Sequence, residues 1–300
     1  MKKHLTLAAV AATCILTGCF HEGLHELQSF DYDANVGYLT PVLQWDNPDD
    51  AGTAIRDLTV AVDGGALSYT KHFANAKEIA SELLPFPKGG TLMAFANADA
   101  ASGITLAGLP ATKAGGACEL SWQASQPLSQ VWGAVATPDI QAHSVTAPAV
   151  SLQRILPTLT LRVTHVPAGT SINASVQSVA RYIALSAADG GCAIAPGATA
   201  YEDISLGALS LSGDTATLTL TTFPTPSGAE RTTLQLDVTA SNGKTFICVL
   251  DAARIDCGKS YDLELDYPAL APYLYLDSQA ISDWEEGWTV SGEILNPTEK

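Results

Sequence analysis

His21, Glu22 and His25 fall in the run CFHEGLH, from Cys19 to His25. H-E-x-x-H is the spacing by which a zincin presents two imidazoles one helical turn apart, with the glutamate between them as general base. Such a site also needs a rigid helix and a third ligand. The later histidines, His72, His143 and His165, stand singly in strand-like or turn-like contexts. A second candidate is the group Asp283, Glu285 and Glu286 beside Trp284 and Trp288, in outline a carboxylate pair with a sugar platform. Glycoside hydrolysis needs two carboxyls facing each other about 5–10 Å apart, whereas neighbours on one strand point to opposite faces. The turn DNPDDAG, from Asp46 to Gly52, is acidic enough for calcium but lacks the EF-hand spacing. Neither G-x-S-x-G nor a phosphate-binding glycine loop occurs.

What precedes the first motif decides its meaning. Lys2 and Lys3 are followed by an apolar run from Leu5 to Leu16, shorter than the ~20 residues of a spanning helix but suited to a signal-peptide core. The run ends in Leu16-Thr17-Gly18-Cys19, which resembles the lipobox of bacterial lipoproteins. That resemblance implies cleavage before Cys19, diacylglycerol on its thiol, and anchorage to a membrane by lipid. The H-E-x-x-H then begins two residues after a lipidated cysteine, before any stretch with a core pattern. A short helix there would have nothing to pack against and would be marginal in water. The motif reads as a coincidence in a tether, and no catalytic, cofactor or metal site is expected.

Composition narrows the class. The chain of 300 residues holds 31 acidic against 15 basic residues, a net charge of −16, which argues against nucleic acid or an anionic membrane surface as partner. Only 15% of residues are charged, and the remainder is rich in Ala, Thr, Leu, Ser and Gly, the profile of an exported β-protein. Of six cysteines, Cys14 leaves with the signal and Cys19 is lipidated. Cys118, Cys192, Cys248 and Cys257 remain, without a C-x-x-C pair. Cys248 and Cys257 flank the connection Asp251–Arg254, and could form a disulfide across a hairpin if a bulge adjusts their facing; the alternative is buried free thiols.

Short apolar runs separated by turn residues fill the rest: Tyr38–Trp45, Asp57–Val62, Ala66–Thr70, Thr91–Ala98, Glu119–Gln123 and Val131–Thr137. Ala74–Leu84 is the one good helical candidate in this half. In VSLQRILPTLTLRVTHV, Leu159, Leu161 and Val163 alternate with Thr160, Arg162 and Thr164, and Pro157 stands just before the alternation. Further on, Thr232–Ala240, Asn242-Gly243 and Lys244–Leu250 read as a hairpin with a two-residue turn, placing Leu236 opposite Val249 and Val238 opposite Ile247. Strands at intervals of about ten residues suggest an all-β sandwich. The expected division is a signal peptide over 1–18, a tether over 19–35, sandwiches over 36–151 and 152–287, and a C-terminal strand over 288–300.

Four features together resemble the fimbrillin superfamily of Bacteroidales lipoproteins, the subunits of type V pili, most closely the fimbrillin-associated anchor proteins. They are the lipobox, the early Leu43-Gln44-Trp45 strand with its acidic turn, the run VSLQRILPTLTLRV, and AISDWEEG from Ala280 to Gly287. The resemblance implies two tandem transthyretin-like Greek-key β-sandwich domains with few short helices, other fimbrial subunits as partners, and an outer-membrane location. In that family stalk subunits lose their first strand to an Arg-specific protease and accept a strand from a neighbour, whereas anchors keep strand and lipid. Here no Lys or Arg occurs between Cys19 and Ile55, so the first site for such a protease is Arg56. The tail puts Trp288, Val290, Gly292 and Ile294 on one face, the pattern of a donor strand and equally of a last strand in the chain's own second sandwich. The rival readings are a stalk or tip subunit cleaved at Arg56 and a glycan-binding surface lipoprotein. The latter would stack sugars on Trp45, Trp122, Trp132, Trp284 or Trp288.

Overall fold

The computed structural model describes residues 35–64, 67–109, 118–123, 127–188, 191–201, 204–270 and 289–292. The first half carries β1 (Val36–Leu39), β2 (Val42–Trp45), β3 (Leu58–Asp63), β4 (Tyr69–Phe73), β5 (Leu84–Pro87) and β6 (Thr91–Ala96). After them come β7 (Ile104–Ala107), β8 (Cys118–Trp122), β9 (Trp132–Ala136), β10 (Val145–Thr146) and β11 (Ala149–Arg154). The second half opens with β12 (Thr158–Thr164), β13 (Ser171–Gln177), β14 (Val179–Ala180), β15 (Tyr182–Ala188), β16 (Gly191–Pro196), β17 (Ala200–Tyr201) and β18 (Ile204–Ala208). It continues with β19 (Ser210–Ser212), β20 (Thr215–Thr221), β21 (Arg231–Thr239), β22 (Thr245–Ala253), β23 (Ser260–Asp266) and β24 (Thr289–Gly292). Two short helices, α1 (Ala76–Ala80) and α2 (Tyr267–Leu270), interrupt the strands. The fold is all-β.

β1 and β2 are one extended stretch that changes sheets at Pro41. β1 lies between β10, to which it is parallel, and β5, to which it is antiparallel. β2 passes to the edge of a six-stranded sheet of order β2-β11-β9-β6-β3-β4. Between the two sheets sits a core of Leu39, Leu84 and Phe86 from one side and Leu58, Val60, Val62, Leu92, Val150 and Leu152 from the other.

The six-stranded sheet is covered on its second face too. Ala61, Met93, Phe95 and Val135 meet Leu120, Ile183 and Leu185 of a sheet ordered β16-β15-β8-β7. Burial on both faces explains why β3, β6 and β9 read as continuous apolar runs without alternation. This covering sheet takes β7 and β8 from the first half and β15 and β16 from the second, joined by register pairs from Tyr182↔Ser121 to Leu185↔Cys118. The two halves divided at residue 152 are thus stitched by backbone pairing.

The second sandwich packs a sheet of order β19-β20-β12-β23 on one of order β18-β13-β21-β22-β24. In β12 Leu159, Leu161 and Val163 are buried, as their alternation requires. The expected helix over Ala74–Leu84 is only α1, capped by Asn75; Leu84 belongs to β5, where it fills the first core.

The Asn-Gly hairpin is shifted by one residue from the expected pairing. Its loop has three residues, closed by Ala240 N–H donating to the Lys244 carbonyl, with Gly243 left-handed at φ 80°. Val238 therefore pairs with Phe246 and Leu236 with Cys248. A one-residue slip exchanges faces, so Phe246, Cys248 and Leu250 turn inward while Ile247 is 38% exposed.

Candidate functional site

The residues that matter for the proposed roles gather around the first strand, the strand at the other terminus, and the thiols. Cys19, Trp288 and Ile294 lie outside the described residues, as do the H-E-x-x-H and the Asp283–Trp288 group.

The segment that follows β2 is fastened twice. Pro48–Asp50 forms a single helical turn capped by the Asn47 side chain, which directs Asp50 inward until only 2% of it is exposed. There the Asp50 carboxylate accepts from Trp132 Nε1 at 2.8 Å and from Arg154 Nε at 2.9 Å, and Arg154 Nη2 completes the ion pair. The acidic turn thus carries a buried charge that ties the first strand to β9 and β11. The signal in the sequence was Arg154, the one charged residue in the run from Val150 to Leu156.

The second fastening holds Arg56. Its backbone N–H donates to Asn97 Oδ1 at 2.9 Å, and its guanidinium donates from Nη2 to Ser102 Oγ at 2.9 Å. Asn97 is 4% exposed and left-handed, at φ 58°; its amide nitrogen donates to the Ala54 carbonyl and its backbone N–H to the Asp57 carbonyl. One buried side chain therefore clips residues 54–57 to the end of β6. Burial pushes the Asp57 carboxyl above the usual aspartate range, with the Asp99 charge adding to the rise and His72 and Arg56 opposing it.

A protease must draw the chain around its target bond out into its cleft, so the rate of cutting follows local opening. Asn97→Gly keeps the backbone conformation and deletes both side-chain hydrogen bonds, each worth about 1 kcal/mol. Cleavage after Arg56 by trypsin is expected to quicken about tenfold or more in this variant, with the cut site read by mass spectrometry. An unchanged rate would mean that Asn97 does not control access to the bond.

At the other terminus, β24 lies parallel to β22 at the edge of its sheet, in register from Ile247↔Thr289 to Leu250↔Gly292. Val290 and Gly292 of the candidate donor strand are therefore paired within the chain's own second sandwich.

Of the two alternatives for Cys248 and Cys257, the hairpin bridge does not form. β22 and β23 lie in different sheets, the register slip turns Cys248 into the core, and both cysteines are free thiols. Cys248 Sγ donates to the Leu270 carbonyl instead. Burial pushes the thiols up, to about 12 for Cys118 and Cys257 and about 11 for Cys192 and Cys248, so all four are held neutral and poorly nucleophilic.

Among the described residues no group of three His, Cys, Asp or Glu side chains could hold a metal ion. Among the described tryptophans, Trp122 and Trp132 pack as core. Trp122 is stacked on Phe223 at 5.9 Å, and Trp132 is 4% exposed with Trp45 edge-on to it at 5.2 Å. Only Trp45 of these three is half-exposed.

No protein-family model matches the sequence, and no curated protein matches it. Among solved structures, a candidate cell adhesion protein from Bacteroides ovatus is similar at 13% identity and a TM-score of 0.43, over 77% of this chain and 91% of that one. A candidate polysaccharide-binding protein from Bacteroides thetaiotaomicron aligns at 12% identity and a TM-score of 0.45, over 70% of this chain and 79% of that one. The chain is also similar to the fimbrial anchor protein Mfa2 from Porphyromonas gingivalis, at 17% identity and a TM-score of 0.45, over 77% of this chain and 90% of that one.

Proposed function

We propose that this protein is a non-catalytic, lipid-anchored subunit of a surface fibre, held to the outer membrane through Cys19 and joined to a neighbouring subunit by its C-terminal strand. The observation that carries the reading is the inlay of the first strand. β1 is paired on both sides, Leu39 is completely buried, and the Asp50–Arg154 pair and the Asn97 clip fix the chain that follows. A subunit at the base of a fibre has to keep this strand, because the strand connects its body to the lipidated cysteine. The absence of Lys and Arg between Cys19 and Ile55 supports the same role. β24 suits donation because it occupies the outermost position of its sheet, while β22 stays paired with β21 along its whole length. Transfer of β24 to a neighbour would leave the rest of the sheet intact.

The test is the N-terminus and intact mass of the protein in outer membranes and sheared fibres of its native host. The expected species begins at a lipidated Cys19 and fractionates with other fibre subunits. An unlipidated chain beginning at Asp57 would overturn the anchor role and make this a stalk or tip subunit.

A further inference from the structure

Among the described residues, the first sandwich is open beside β2. β5 accompanies β1 only as far as Leu84 opposite Leu39; before Leu84 the chain turns away into α1. Among the described residues, β2, which prolongs β1, has no strand beside it on that side. On its other side Val42 and Asp46 donate to the carbonyls of Pro148 and Leu152, so the even-numbered residues address β11. The N–H and C=O groups of Leu43 and Trp45 therefore face the open side, and among the described residues no backbone pairs with them. Beside this bare edge lies a cleft of about 460 Å³, with Leu43, Trp45, Ile55 and Leu152 as its apolar walls and Lys77 among the residues lining it.

We propose that this cleft is a peptide slot, in which an extended segment of another polypeptide adds alongside β2. An apolar side chain of the segment enters between Trp45, Ile55 and Leu152, and an acidic side chain meets Lys77. The occupant follows from what the edge offers. Donors and acceptors alternating at strand spacing are matched by another extended backbone, and sugars and acyl chains have no such repeat. The walls are apolar where the inward side chain of an added strand would fall, and the volume lies within the ~300–1,000 Å³ of ordinary binding pockets. Charge selects further. Lys77 is exposed and has no ion pair among the described residues, while its neighbour Glu78 is turned back on the Ala74 N–H at 2.8 Å. In a chain of net charge −16, a cation beside an apolar slot favours a carboxylate. The slot is distinct from the groove that β1 fills between β10 and β5, and it requires neither lipid on Cys19 nor donation of β24.

The experiment titrates the purified protein with a fluorescein-labelled synthetic heptapeptide of alternating valine and threonine ending in glutamate, followed by anisotropy. Two further peptides carry N-methyl groups on alternate residues, one in each phase. Saturable binding is expected, weakened about tenfold or more by one phase of N-methylation and little by the other, since only one set of amides faces β2. Lys77→Glu, a surface change that leaves the core alone, is expected to weaken the glutamate peptide at least several-fold and to favour a lysine-ended one. Failure to saturate at millimolar peptide would overturn the proposal. Equal binding of both N-methyl phases, or displacement by a neutral oligosaccharide such as cellohexaose, would also overturn it.

Discussion

Asp50→Ala is expected to destabilise the protein by about 3–5 kcal/mol, read as a lower urea midpoint at unchanged slope. The size follows from what the substitution leaves behind. Arg154 is only 26% exposed and would keep its charge without a counter-ion, and the Trp132 indole N–H would be buried without an acceptor. Asp50→Asn preserves the shape and one acceptor but sets an amide against the guanidinium, so a loss of roughly 1–3 kcal/mol is expected. Replacing both partners, as in Asp50→Leu with Arg154→Met, should recover part of the loss, because no buried charge is then stranded. The effect should also be directional. Asp50 is the last fixed point of the first segment before the 51–57 loop, so hydrogen exchange should quicken at the Val42 and Asp46 amides that bind β11. A loss below 1 kcal/mol would show that the pair does not hold the first strand.

Much of this architecture is legible in the sequence, and the parts that are not share a cause. The alternation through Leu159, Leu161 and Val163 announces β12 because one face of that strand is wet and the other dry. The apolar runs of β3 and β6 announce strands as well, but periodicity reports burial and does not name the partner. That the second face is covered by strands from both halves could not be read from either run. The hairpin register escaped for a related reason. Phe246, Ile247, Cys248, Val249 and Leu250 are apolar in both parities, so the pattern cannot choose which set turns inward, and the turn decides. Asn242-Gly243 invites a two-residue turn; the chain instead places Gly243 in the left-handed position of a three-residue loop. Asp50 shows the limit most sharply. Three aspartates crowd the turn from Asp46 to Gly52, and what buries one of them is an arginine 104 residues away. Of the candidate site, the bareness of the β2 edge depends on where β5 ends, which no local pattern encodes.

Gly258→Ala is expected to cost about 2–5 kcal/mol, and the reason lies at the same arginine. Gly258 is left-handed, at φ 67°, and a Cβ there would lie 2.4 Å from the carbonyl oxygen of Arg154 and 3.3 Å from its carbonyl carbon. Both are backbone atoms that cannot swing aside, and the Gly258 N–H is itself bound to the Ile155 carbonyl at 3.0 Å. The left-handed conformation contributes roughly 1–2 kcal/mol for an alanine and the overpacking about 1–3 kcal/mol. Gly243→Ala supplies the control. Its φ is 80° but nothing lies within 4 Å, so only the conformational cost of roughly 1–2 kcal/mol should appear. Arg154 thus stands between two constraints: Asp50 holds its side chain on behalf of the first strand, and Gly258 fits against its backbone from the segment that leads into β23. Because both act on one residue at the passage from β11 to the second sandwich, the double variant Asp50→Ala with Gly258→Ala should lose less than the sum of the two. The expected coupling is about 0.5–3 kcal/mol, measured by urea denaturation of the four proteins of the cycle. Strict additivity would mean that the first strand and the junction between the sandwiches are secured independently, and that Arg154 transmits nothing between them.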